Sequence, residues 1–402
     1  MSARTVVVIG AGPLQVPAYE AARRMGLRSV AIDRNPAAPG MALADVAEAV
    51  DTRDVEGVLA VARRERASGV VTLCTDAPVV VVAAVARALG TPALTPEAAA
   101  VATNKARMRD ALAAGGVPIP RYRRARTLEE ARAAAEELGF PVILKPPASS
   151  GSRGIFKASA ADRLEAGWRH ARSVAGEGAE ILVEEFVEGD EVSVETLSFG
   201  GAHHVIAVTD KRTTGDPYWV ETGHSQPSRL PPPTLTAVRD CARASLAALG
   251  VSEAAGHVEI KVGPGGPRLI EVGARLGGDF ITTELVPRST GVDMVEAVIR
   301  LALGEPPRHL PTQDRGAAIR YLLPPAGRLE AVEGLDAARR MPGVVRLELS
   351  ASPGTVLEGV RSSLDRPGFV IAEAPSAAEA ERRAAAAASA VTFRVSPGGR
   401  PA

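Results

Sequence analysis

The densest chemistry in this sequence lies in His257-Val258-Glu259-Ile260-Lys261-Val262, a turn over Gly263 to Gly266, and Leu269-Ile270-Glu271-Val272-Gly273-Ala274-Arg275. Strand side chains alternate faces, so His257, Glu259 and Lys261 share one face and Glu271, Gly273 and Arg275 share another. Folded at its glycine turn, such a hairpin brings two carboxylates within about 5 Å, a repulsion that a divalent cation relieves. Magnesium takes one or two carboxylates together with substrate phosphates, and Arg275 beside them suits a transferred phosphoryl group or a substrate carboxylate. The bland alternative is a solvated hairpin carrying Glu and Lys pairs. Another segment upstream counts against it.

That segment is Ile143-Leu144-Lys145-Pro146 followed by Ser149-Ser150-Gly151-Ser152-Arg153-Gly154. Glycines let a backbone approach phosphate oxygens, serine hydroxyls add donors, and the lysine neutralises charge. It is not a Walker loop, because GxxxxGK[ST] is absent. Next comes Ile181-Leu182-Val183-Glu184-Glu185-Phe186-Val187-Glu188-Gly189-Asp190-Glu191, where a strand edge can read adenine through its backbone and a carboxylate can accept from ribose hydroxyls. The acids are also compatible with a solvated rim. Gly10, Gly12 and Asp33 suggest a dinucleotide fold, but Gln15 stands where the third glycine of GxGxxG belongs, so a cofactor-free strand-to-helix turn started by Pro13 is expected instead.

The elements that must position these residues follow from periodicity. Strands over 6–9, 29–32 and 70–73 alternate with helices over 13–25, 55–67 and 78–89, a parallel α/β layer. A helix over 103–114 ends at Gly115-Gly116 with Pro118 behind it, and Thr127 with Glu130 forms a capping box for a helix to Leu138. A strand over 142–145, a helix over 162–174 and a strand over 180–187 precede a strand-rich block from 191 to 275, which a helix over 235–249 interrupts. Past Gly304 come short strands and an Ala-rich helix over 377–390, with a frayed tail after Ser396. The expected class is α/β and α+β, with domains at 1–97, 98–310 and 311–402.

Composition sets the outer limits. A chain of 402 residues exceeds one ordinary core, and 46% hydrophobic with 23% charged residues describes a globular protein. Lys plus Arg equals Asp plus Glu at 47 each and aromatics are 3%, which disfavours nucleic acid and anionic membranes as partners. Cys74 and Cys241 lack CxxC partners and read as buried free thiols. With neither a signal peptide nor a membrane-length apolar run, a cytoplasmic location is expected.

In this order the segments resemble the ATP-grasp superfamily from about Thr103 to Leu303. The carriers are Lys105 in Thr103-Asn104-Lys105, the Lys145 strand, the SSGSRG loop, VEEFVEGDE and the Glu259/Glu271/Arg275 hairpin. The chain looks most like the L-amino acid ligases, the dipeptide-forming branch, because of His257-Val258-Glu259 and EVGARLGGD. The resemblance implies a Rossmann-like pre-ATP-grasp domain, an ATP-grasp domain and a small C-terminal α+β domain. It implies ATP on Lys105 and Lys145, a lid formed by Ser150, Gly151, Ser152 and Gly154, adenine by Glu184, Glu185, Phe186 and Val187, and ribose on Glu191. Magnesium, or manganese in its place, would sit on Glu259 and Glu271.

Similar ligases contact the acceptor around Thr209 to Arg212 and with Glu221 and His224, while Gly277 and Gly278 beside Arg275 suit a substrate amino or carboxylate group. Lys145 and Arg275 would offset charge during phosphoryl transfer, and His257 would either help deprotonate the amine or orient Glu259. Many ATP-grasp enzymes carry Asn where Gly273 stands, which removes one metal ligand. The expected activity is ATP-dependent amide or peptide bond formation between amino acids or small carboxylic acids through an acyl phosphate. Rival readings are a carboxylase-type relative such as carboxyaminoimidazole ribonucleotide synthetase, a nucleotide-sensing module and an NAD oxidoreductase. A homodimer is the expectation by analogy.

Overall fold

The structure, a computed structural model, describes residues 3–149 and 151–396; Ser150, a candidate lid residue, lies outside them. Four strands, β1 (Thr5–Ile9), β2 (Arg28–Ile32), β3 (Val46–Glu48) and β4 (Ala67–Val71), pair in parallel in the order β3-β2-β1-β4. Val7, Ile9, Val30, Ile32, Val58, Val70 and Val85 form their core. Near-continuous Val and Ile runs are what a sheet buried on both faces requires.

The first helix begins at Val16, later than Pro13, because Gln15 closes a turn onto the carbonyl of Gly12. Gln15 is buried, donates to the carbonyl of Leu73 at 2.6 Å and lies against Gly10 and Gly12. Asp33 accepts from the backbone amide of Ala11 at 2.9 Å. Asp33, the acid that suggested a dinucleotide site, is thus engaged with the turn itself, and Gln15 lies against the glycines that suggested it with Asp33.

A second sheet holds β5 (Tyr122–Ala125), β6 (Val142–Lys145), β7 (Phe156–Ala158) and β8 (Ile181–Glu185), antiparallel in the order β5-β8-β6-β7. Helices Leu128–Leu138 and Ala161–Ala175 cover it. Thr127 accepts from the amide of Glu130, as the capping box requires, but the Glu130 carboxylate reaches the amide of Arg126 rather than that of Thr127.

Downstream lie β9 (Asp190–Phe199), β10 (Ala202–Thr213), β11 (Glu221–Gln226), β12 (Ala254–Gly263), β13 (Gly266–Gly273) and β14 (Gly316–Leu322). After them come β15 (Gly327–Glu333), β16 (Val344–Leu349), β17 (Val356–Leu357), β18 (Gly368–Ala374) and β19 (Thr392–Ser396). The helix over Ala377–Ser389 packs on β14 and β18.

The chain forms two compact units, interleaved in sequence. One holds residues 1–119, 193–208 and 231–312, with the strand order β13-β12-β9-β10; the other holds 120–192, 209–230 and 313–402, with β10-β11-β14-β18-β16. This division follows packing, whereas the boundaries near 97 and 310 follow changes of sequence pattern. Among the described residues no helix is long and apolar enough to cross a membrane.

Candidate active site

In the first unit the site is built on the β12–β13 hairpin. Val258, Ile260, Leu269 and Val272 are fully buried and anchor it, leaving the polar positions on the other side. Register pairs His257 with Gly273 and Glu259 with Glu271, and a bulge follows immediately, between Glu259 and Ile260. A bulge re-aims side chains and ends regular pairing, and here it sits beside the two carboxylates.

Two cations already balance them. Lys105, buried at the start of helix Lys105–Ala114, places its Nζ 2.8 Å from Glu271. His257 has its Nδ1 2.7 Å from Glu195 on β9 and its Nε2 3.4 Å from Glu259. Burial lowers the His257 pKa, but Glu195 and Glu259 outweigh it and carry the ring up to about 9. The other oxygen of Glu195, Oε2, is buried with no hydrogen-bond partner.

Arg275 just past β13 points its guanidinium at Asp76, with bonds of 2.8 and 3.2 Å. Burial disfavours the charge of Arg275, and the Asp76 carboxylate overrides it to raise the pKa; Asp76 is in turn held low by Arg275 against its own burial. Gly273 makes room for this arrangement, since a Cβ there would stand 2.8 Å from the Cζ of Arg275. A Cβ on Gly277 would stand 2.6 Å from the His257 Nδ1 and 2.8 Å from the Glu195 Oε2, so Gly277 admits the His257–Glu195 pair. Gly278 has no such neighbour nearer than 3.9 Å.

In the second unit Lys145, at the end of β6, is buried against Glu184 of β8 at 2.7 Å. Glu185 accepts from the side chain of Arg121 at 2.7 Å, and Phe186 stacks obliquely on Trp219 with Lys157 4.0 Å over its ring. Val187 follows, half-buried. Glu191 bonds Lys211 at 2.7 Å, and the same ammonium lies 3.6 Å from Glu221. Ser152 directs its hydroxyl at Glu221, 3.4 Å away. His224 is buried edge-on to Tyr321. In the glycine loop, Gly151 and Gly154 have φ of 66° and 76°, and a Cβ on Gly154 would meet the Pro146 side chain at 2.7 Å. Positive φ is where glycine is needed.

Sequence reasoning missed Asp76, Glu195 and the central place of Lys211. Asp76 had one signal, a carboxylate at the carboxyl end of a parallel strand, where such sheets put ligand-binding groups. Glu195 is an acid inside an apolar strand, which calls for a buried partner.

The Glu259–Glu271 pair fits magnesium by the chemistry of its donors. Two partly exposed carboxylates in register supply the hard oxygen ligands that this ion shares with phosphates, and the ion would share them with Lys105 and His257.

Comparison with known proteins gives the following. Residues 138–284 match the ATP-grasp domain family, and residues 320–396 match L-amino acid ligase C-terminal domain 2. The chain is 31% identical over 390 residues to the uncharacterized protein y4rH of Sinorhizobium fredii (strain NBRC 101917 / NGR234), covering 94% of this chain and 80% of that one. A formate-dependent phosphoribosylglycinamide formyltransferase of Synechococcus sp. (strain CC9605) is 37% identical over 198 residues, 48% of this chain and 50% of that protein. Among solved structures, an L-amino acid ligase from Bacillus licheniformis superposes with a TM-score of 0.82 at 24% identity, covering 98% of this chain and 99% of that one. An Aspergillus clavatus carboxyaminoimidazole ribonucleotide synthase complexed with ATP gives 0.78 at 18% identity, covering 96% and 98%. At these identities the structures establish a shared fold.

Proposed function

Because the chain belongs to the ATP-grasp ligases, ATP-dependent enzymes that join a carboxylate to an amine, we propose that it forms an amide or peptide bond with an amino acid as one substrate. The observation that carries this reading is the register pairing of Glu259 with Glu271, with Lys105, His257 and Arg275 gathered on the same unit. The match of residues 320–396 to an L-amino acid ligase domain supports the amino-acid substrate.

In the proposed reaction a carboxylate oxygen attacks the γ-phosphorus of ATP and ADP leaves, giving an acyl phosphate. The amine nitrogen then attacks the acyl carbon, phosphate leaves with the acyl C–O bond, and the surplus amine proton passes to solvent. Lys145 and Lys105 bind phosphate oxygens, the 151–154 segment folds over them, Glu184 to Val187 line the adenine and Glu191 receives the ribose. Glu259 and Glu271 hold magnesium, which when bound neutralises phosphate charge. Arg275, kept in place by Asp76, faces the transferred phosphoryl or the reacting carboxylate, and Glu221 binds the substrate ammonium group. His257, bonded to Glu195 on one side, orients Glu259 on the other. Catalysis of this kind is mainly positioning and electrostatics.

The test is an ADP-release screen over pairs of amino acids and small carboxylic acids, with mass spectrometry of the products. Formate and bicarbonate belong in the same plate, because a formyltransferase is among the relatives and carboxylase-type enzymes share the fold. An amino-acid-dependent product with the mass of an amide supports the proposal. Turnover with bicarbonate or formate alone would replace it.

A further inference from the structure

One turn of the C-terminal region meets Glu221, the carboxylate proposed to bind the substrate ammonium group. Residues Ser363–Asp365 form a short helical turn, shaped by Asp365, whose carboxylate accepts from the amide and hydroxyl of Ser362. From it Ser363 donates its hydroxyl to Glu221 Oε2 at 3.0 Å, and its amide reaches the carbonyl of Gly151 at 3.4 Å. Arg366 donates one guanidinium nitrogen to the backbone carbonyl of Glu221 at 3.1 Å and another to the carbonyl of Ser363 at 3.0 Å. Its guanidinium lies 3.6 Å over the ring of Tyr321, which holds it in place. All of these groups belong to the second unit.

Glu221 is therefore held at its carboxylate by Ser363, with the Ser152 hydroxyl farther off at 3.4 Å, and at its main chain by Arg366. Neither grip neutralises it: a hydroxyl bonds one oxygen and leaves the negative charge in place, and the one ammonium beside it, that of Lys211, is shared with Glu191 at 2.7 Å and pairs with Glu221 at 3.6 Å, so two carboxylates face one cation. A carboxylate fixed in direction but still anionic is what recognition of an ammonium group requires, because the entropy of orienting it is already spent before the substrate arrives. The same serine touches the glycine loop through Gly151.

We propose that Ser363 and Arg366 are positioning residues that hold Glu221 for the ammonium group of the amino-acid substrate, and that Ser363 ties that carboxylate to the glycine loop. The proposal rests on the reading of Glu221 as the ammonium-binding carboxylate.

The experiment is steady-state kinetics on the full chain, varying amino acid and ATP separately. Ser363→Ala should raise the amino-acid KM by about tenfold, the loss of one hydrogen bond to a charged acceptor, with the ATP KM changed less than about twofold. Ser363→Thr, which keeps the hydroxyl, should restore the amino-acid KM. Glu221→Gln, run beside them, should lose amino-acid saturation altogether. Wild-type amino-acid KM in Ser363→Ala, with Glu221→Gln impaired, overturns the positioning role alone. An equal rise of both KM values that Ser363→Thr fails to rescue also overturns it, since the serine would then be structural. Normal saturation of Glu221→Gln removes the assignment of Glu221 on which the inference stands.

Discussion

Gly273 occupies a position where a side chain and the Arg275 guanidinium compete for one space. Gly273→Asn should displace Arg275 from Asp76 and, by misplacing a charge at the reacting group, lower ligand-dependent ADP release by about 100-fold. Because Asp76 then loses the cation that balances it, some stability should be lost as well, so turnover is measured beside a melting curve and at a temperature where the variant is folded. Lys145 behaves differently. Its partner Glu184 is almost wholly buried, so Lys145→Ala removes a cation that balances a buried carboxylate and should cost about 3 kcal/mol of stability, whereas Lys145→Met with Glu184→Gln should recover much of it. Urea melts of the three variants decide the point, and nucleotide affinity must be compared only under conditions where each is folded. The thiols make a third case. Burial pushes Cys74 up to about 12 and Cys241 up to about 11. Because the folded state holds these protons more tightly than the unfolded chain, this contribution is full below the ordinary thiol value of 9.0 and is lost as pH rises toward the folded values. An aromatic disulfide reagent at pH 8 should label neither cysteine in the native protein and both in denaturant.

At the scale of the element, the hairpin changes what its own charges predict. Two carboxylates alone repel, and neutralising one ought to relieve the apo protein. With Lys105 buried against Glu271 the sign reverses: Glu271→Gln removes the anionic partner of a buried ammonium and should lower the apo melting temperature. It should also lose most of the stabilisation that magnesium with a non-hydrolysable ATP analogue gives the wild type. Melting curves with and without those ligands check both halves, and a full ligand-induced shift in the variant would move the metal site elsewhere. The hairpin was legible in the sequence because its signals are local, two polar-apolar alternations around a glycine turn. Three strands of the parallel layer, β1, β2 and β4, were legible for the same reason, whereas β3, three residues long, carried no pattern to read. The bulge after Glu259 left no mark in the alternation. The residues that hold the site together come from far along the chain: Asp76 is 199 positions from Arg275, Ser363 is 142 from Glu221, and Glu195 is 62 from His257. No periodicity reaches that far, and only the folded topology brings such pairs into contact.

Taken whole, the chain has a formal net charge of +0, so its charges act through local networks more than through a long-range field. One network sits in the second unit, where Arg212, Arg229 and Arg320 converge on Glu381 of the helix Ala377–Ser389. Glu381→Gln should destabilise that unit by roughly 2 kcal/mol, less than a fully buried pair because Arg212 and Arg229 are about half exposed. Chemical denaturation followed by the fluorescence of Trp168 and Trp219, both in that unit, reads it directly.

The interleaving of the units also bears on how the protein is made. Translation delivers residues in order, yet the second unit draws on 120–192, on 209–230 and on everything from 313 onward. Its central strands β14 and β18 therefore leave the ribosome long after β11, and β11, paired with β10 on one side, must wait for β14 with its other edge open. At roughly 5–20 residues per second that wait lasts several seconds, during which an open strand edge is available to any neighbouring chain. A nascent chain stalled after residue 312 should be cut by protease within 120–192 and 209–230 and protected in 1–119, and binding of a chaperone to the growing chain should be strongest in those same intervals.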